Sequence, residues 1–153
     1  MVVYRISRKR FATDLSGSGA KRYGGRWNPK GVSLVYASES RALAVLEYYV
    51  HTDPALLPMD ISIASIRIPD DAPGKEIFIG DLPPDWREYP PPVQLAILGE
   101  NWFKSDESLL LLVPSVVVPR ERNVLVNPGH SLIKEVTITD IEDYSFGRRL
   151  GRG

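Results

Sequence analysis

The chain has 153 residues, 43% of them hydrophobic and 25% charged, with 19 basic and 19 acidic side chains and no cysteine. That is one domain's worth of sequence, long enough to bury a core without staples, and the missing cysteines exclude disulfides and thiolate chemistry. A net charge of zero argues against general nucleic-acid binding, which needs a surplus of phosphate-neutralising charge.

The charge is unevenly spread. Residues 1–41 carry nine Lys or Arg against Asp14 and Glu39, whereas residues 53–107 carry eleven Asp or Glu against four basic residues. A locally basic segment can receive a small phosphorylated ligand; segregated solvated faces would give the same pattern.

In chain order, strands are expected at Val2–Ile6, Ser33–Ala37, Ile61–Ile68, Glu76–Ile79, Leu109–Val118, Val124–Asn127 and Glu135–Ile141. In the third, apolar positions 61, 63, 66 and 68 slip phase near Ala64-Ser65, which suggests a bulge. A helix follows Ser38, its expected cap, with Glu39 at its positive end and an apolar stripe of Ala42, Val45, Leu46 and Tyr49. A second helix covers about Val93 to Lys104, entered from Pro90-Pro91-Pro92. Strands outnumber helices and do not alternate with them, so the fold class is mixed α/β (α+β), a compact single domain over 1–153 with a strand-rich core and flanking helices. The core spans about 4–141 and a tail 142–153, whose Arg148-Arg149-Leu150-Gly151-Arg152 has no reading. No apolar run is long enough to span a membrane, since Leu109–Val118 is broken by Pro114, and no signal-peptide core follows Met1. A cytoplasmic location is expected.

The most unusual segment is Arg22-Tyr23-Gly24-Gly25-Arg26-Trp27-Asn28-Pro29-Lys30-Gly31. Gly24-Gly25 allows close approach of a ligand or positive φ, and Arg26 beside it suits a phosphate or ribose. On these residues alone, an arginine stacked on Trp27 to pin a hairpin explains the segment as well. Glu47 falls on the border of the first helix's apolar stripe. It is either a partly desolvated carboxylate in need of a partner or a raised pKa, or an edge glutamate whose head reaches water. Tyr36 stands where a strand gives way to a helix, a common place for site residues. Ser115 interrupts an apolar strand, where a buried hydroxyl must find a partner; it lacks the surroundings of a nucleophile elbow. His51 and His130 are the only histidines. No metal-ligand spacing, GxGxxG or Walker A pattern occurs, so no metal is expected.

Taken in order, Gly25-Arg26-Trp27-Asn28, Val35-Tyr36-Ala37-Ser38, Ala42-Leu43-Ala44-Val45-Leu46-Glu47, Val113-Pro114-Ser115, and Asn123 with Asn127-Pro128-Gly129-His130 resemble the RES-domain family. The opening Tyr4-Arg5-Ile6 is similar as well, and the resemblance runs from Tyr4 to about Ile141. It implies a fold similar to ADP-ribosyltransferases and a toxin that degrades NAD, by hydrolysis or phosphorolysis of the nicotinamide–ribose bond. Transfer of ADP-ribose to a protein is the alternative, and a non-enzymatic binding module a more distant one. It implies Arg26, Tyr36, Glu47 and Ser115 as catalytic positions, with Arg5, Gly25, Arg26, Trp27, Tyr36, Asn127 and His130 binding NAD as substrate and no further cofactor. The implied partner is an Xre-type helix-turn-helix antitoxin, with room for a homodimer inside the toxin–antitoxin complex.

Overall fold

The computed structural model describes residues 1–147. Seven strands form one sheet: β1 (Val2–Arg8), β2 (Val35–Ser38), β3 (Ile61–Arg67), β4 (Gly74–Glu76), β5 (Leu110–Pro114), β6 (Arg122–Val126) and β7 (Thr137–Tyr144). Their spatial order is β4-β5-β6-β2-β1-β3-β7, and every neighbouring pair is antiparallel except β4 and β5. Three α-helices, α1 (Ser18–Tyr23), α2 (Arg41–Val50) and α3 (Val93–Ser105), flank it. The architecture is the mixed α/β single domain expected of the sequence.

Apolar residues of the central strands divide by parity, because successive side chains on a strand point to opposite faces. Val35, Ala37, Val124, Val126 and Leu110 join one core cluster. Leu34, Leu125, Leu111 and Val113 join another, with Trp27, Leu95 and Trp102. With both faces covered, these strands read as near-continuous apolar runs rather than alternating ones.

The phase slip in β3 has a counterpart in the sheet. Ser65 pairs with Asp140 and Ile66 with Ile138, so the extra residue, Thr139, belongs to β7. β3 itself is buried from Ile61 to Ile66, and no single-face pattern could survive there. Several strands start or end one to three residues from expectation, β7 among them at Thr137–Tyr144, and three differences have a local cause. The apolar run from Leu109 ends as a strand at Pro114, which cannot donate to the ladder. The strand expected over Glu76–Ile79 instead lies at Gly74–Glu76, and Ile77 and Phe78 lead into a short 3-10 turn at Ile79–Asp81. The cap of α2 is Ser40, not Ser38: Ser40 Oγ accepts from the Leu43 N–H at 3.0 Å, while Ser38 belongs to β2. Glu39, outside the helix, pairs instead with Arg122.

Two features lack a sequence signal. α1 is too short to show a stripe, and α3 packs so closely on the loop before β2 that a Cβ on Gly99 would stand 1.6 Å from the Trp27 carbonyl oxygen. Beyond Ile141 the chain continues in β7 to Tyr144. Phe146 then packs against Tyr48 and Tyr49 of α2, with ring centroids 6.1 and 5.9 Å away. The first residues of the expected tail are thus part of the domain; the Arg148–Arg152 stretch lies outside the described residues. No helix among the described residues is long and apolar enough to cross a membrane.

Candidate active site

A cavity of about 670 Å³ opens between β1, α1, the loop before β2, and α2, within the range usual for small-molecule sites. Arg26 reaches it from the glycine loop, Tyr36 from β2, Glu47 and Tyr48 from α2, and Asn123 from β6, with Arg5, Gly25 and His51 also on its wall.

The glycine loop is built for closeness. Gly24 has φ +71°, a conformation side chains rarely adopt. At Gly25 a Cβ would stand 2.9 Å from both the Tyr36 hydroxyl and Asn28 Oδ1. That hydroxyl donates to Asn28 Oδ1 at 2.6 Å and accepts the Trp27 N–H at 3.2 Å. Asn28 is itself buried, its amide spent on the carbonyls of Ala20, Pro29 and Val32. Burial pushes the Tyr36 phenol above the usual tyrosine range, against the opposing pull of the Trp27 N–H and Arg26. Tyr36 therefore presents a ring to the cavity, with its hydroxyl neutral and occupied.

Arg26 does not stack on Trp27. Its Nη1 donates to the carbonyls of Trp86 (2.8 Å) and Glu88 (3.1 Å), which leaves the remaining donors of the fork for a ligand. Burial draws its pKa below the usual arginine range, opposed by the charge of Glu47. Trp27 lines the cavity but is 3% exposed and belongs to the core.

Glu47 has found its partners. Its Oε1 accepts from Ser115 Oγ at 2.5 Å and from Asn123 Nδ2 at 2.8 Å. Ser115 is fully buried, and its Oγ also accepts the N–H groups of Val117 and Val118 at 3.1 and 3.0 Å. It is absent from the cavity wall, so it acts through Glu47 rather than on a ligand. His51, one turn beyond Glu47, donates Nδ1–H to the Glu47 carbonyl at 2.6 Å and stands 3.7 Å from Oε2.

Of the residues expected at the substrate, Arg5 is on the cavity wall; its terminal nitrogens donate to the carbonyls of Phe11 (2.6 Å), Ala12 (3.2 Å) and Asp14, while its buried Nε has no partner. Burial lowers its pKa, with Asp14 opposing. Asn127 and His130 lie off the cavity wall altogether. Asn127 Oδ1 accepts the Gly129 N–H at 2.8 Å, and His130 Nδ1 accepts the Leu132 N–H at 3.1 Å, so each serves the turn after β6. Conversely, Asn123, Tyr48 and His51 are on the wall without having been assigned there. Asn123 stood in the motif set, but nothing in its neighbours along the chain pointed at Glu47.

An arginine and a hydrogen-bonded carboxylate sharing one cavity on a strand-rich α/β domain define a class of site suited to an anionic sugar ligand. A model of the RES domain matches residues 2–147, and the chain belongs to the RES-domain family. It is 41% identical over 143 residues to the "Prs ADP-ribosylating toxin" of Sphingobium sp. (strain YBL2), covering 92% of this chain and 89% of that protein. It is 37% identical to a "Toxin Res" of Yersinia enterocolitica, over 95% of each chain, and 34% identical to one of Pseudomonas putida, over 98% and 99%. Its fold is also that of a chain in the crystal structure of the M. tuberculosis MbcT–MbcA toxin–antitoxin complex. The TM-score is 0.78 at 18% identity, over 94% of this chain and 84% of that one.

Proposed function

We propose that this protein is the toxin of a toxin–antitoxin pair and that it cleaves the nicotinamide–ribose bond of NAD. The observation that supports this reading most is the half-occupied carboxylate: Glu47 is fixed through Oε1 by two donors while it lines a cavity that Arg26 shares. As the bond breaks, nicotinamide leaves with the bonding pair as a neutral base, and positive charge builds on the ribose. A preorganised carboxylate stabilises that charge or holds the 2′-hydroxyl. Arg26 anchors the pyrophosphate or the adjoining ribose, and the Tyr36 ring stacks on nicotinamide. An acceptor then adds its lone pair to the anomeric carbon and gives up a proton. The chemistry needs no metal and no resident cofactor.

Water or phosphate as acceptor gives NAD degradation and growth arrest. A protein side chain gives ADP-ribosyl transfer, a reading favoured by the Sphingobium relative's name. Incubation of the purified protein with NAD tests the common step. Free nicotinamide is expected, and its absence both with and without a cell lysate refutes the reading. Label from adenine-labelled NAD appearing on lysate protein selects transfer. The proposed partner is an Xre-type antitoxin. Expression of the toxin alone should stop growth and lower cellular NAD, and co-expression of that partner should restore both.

A further inference from the structure

We infer that Ser38 and Asn123 are positioning residues that decide which oxygen of Glu47 faces the reaction, an inference that rests on Glu47 being the carboxylate beside the anomeric carbon. Ser38 and Asn123 are cross-strand partners in the register of β2 and β6. Ser38 is 4% exposed, and its Oγ donates to Asn123 Oδ1 at 2.7 Å. The other end of that amide, Nδ2, donates to Glu47 Oε1 at 2.8 Å.

An asparagine side chain has two ends of nearly equal shape and opposite function, so its orientation is set by its partners. A carboxylate only accepts. Asn123 must therefore turn Nδ2 toward Glu47, which leaves Oδ1 facing Ser38. The serine hydroxyl supplies the donor that makes this orientation complete. Ser115 works by a parallel logic: two backbone N–H groups occupy its lone pairs, which directs its proton at Glu47. Both donors converge on Oε1, so Oε2, with His51 Nδ1 3.7 Å away, accepts no hydrogen bond from these two residues and is left for the ribose. A carboxylate with donors divided between its oxygens would offer each only partly.

The relay makes predictions that a merely structural pair would not. Asn123→Ala should lower kcat for nicotinamide release about tenfold or more, as loss of an orienting partner does at metal sites, with KM for NAD within about twofold. Ser38→Ala should show a smaller loss of the same kind, and Ser38→Thr, which keeps the hydroxyl, should restore it. Ser38 also lines the cavity, but its hydroxyl proton is given to Asn123, so under the proposal the double alanine variant should be no slower than Asn123→Ala alone. Losses that multiply, or a lowered melting temperature with kcat intact, overturn the proposal. A second readout is independent of turnover. In 1H–15N spectra the side-chain amide of Asn123 should move on Ser38→Ala and on Glu47→Gln; if it moves in neither, the relay does not exist. Should the wild-type protein release no nicotinamide, the NAD reading fails, and the amide signals still decide the relay.

Discussion

The two ends of the cavity are assembled in opposite ways. Arg26 comes from a loop whose parts lie side by side in sequence: Gly24 and Gly25 for the backbone, Asn28 and Tyr36 for the scaffold. Its own anchors are main-chain carbonyls at Trp86 and Glu88. Glu47 comes from a helix, and its anchors are side chains 68 and 76 residues away. The arginine end is fixed in place by backbone and keeps donors free. The carboxylate end is fixed by a specific pair of side chains and keeps one oxygen free. A cation that grips an anion tolerates some slack; a carboxylate that must meet developing charge does not.

If that contrast is right, damage should differ in kind between the ends. Glu47→Gln is expected to have the largest effect, a loss of turnover of about a hundredfold or more. The protein should still fold and bind NAD, because the glutamine carbonyl can accept from both Ser115 and Asn123. Activity within a few-fold of wild type would remove Glu47 from the chemistry. Arg26→Lys comes next: the charge stays but the fork is lost. We expect KM for NAD to rise about tenfold, with about 1 kcal/mol of stability lost as the bonds to Trp86 and Glu88 weaken. An unchanged KM with a lower melting temperature would make Arg26 a brace for that loop and nothing more. Gly25→Ala tests the scaffold between the ends. Its Cβ would force Tyr36 from Asn28, at a cost of about 1–3 kcal/mol, and turnover per folded molecule should fall with it. The smallest effect is predicted for Asn127→Ala, which removes a turn bond and two long contacts to Phe103 and Asp106 at the end of α3. It should cost about 1 kcal/mol and leave turnover per folded molecule untouched; a raised KM would return Asn127 to the site.

Asn123 and Asn127 also mark how far the sequence could be read. The apolar strands, the span of α2 and the glycine loop are legible in the sequence, because each depends on neighbours within a few positions. The stripe of α2 is not: Ala42 and Leu46, expected on its inner face, are exposed, and the residues it buries are Leu43 and Ala44. Glu47 could be singled out as a carboxylate in need of a partner, but its partner could not. Asn123 reaches Glu47 because β6 lies between β2 and β5, a pairing that no local pattern encodes. Four residues on, Asn127 has left the strand, and its side chain ties its own turn to the end of α3. The same residue type, in the same motif, thus serves different ends for reasons of register alone. His130, which caps the short 3-10 turn after β6, likewise stands off the cavity wall. Arg5 is on that wall as expected, with its terminal nitrogens donating to three carbonyls.

The long separation between Glu47 and its donors has a consequence for synthesis. A growing chain presents Arg26, Tyr36 and Glu47 within its first third, but Ser115 and Asn123 only near its end. β2 likewise has to wait for β6 before its outer edge is paired. A product terminated before residue 115 would hold the arginine, the tyrosine and the glutamate, yet nothing to orient the carboxylate. If the proposed reading of Glu47 holds, a chain truncated before Ser115 should release no nicotinamide from NAD, and activity should require synthesis at least as far as Asn123.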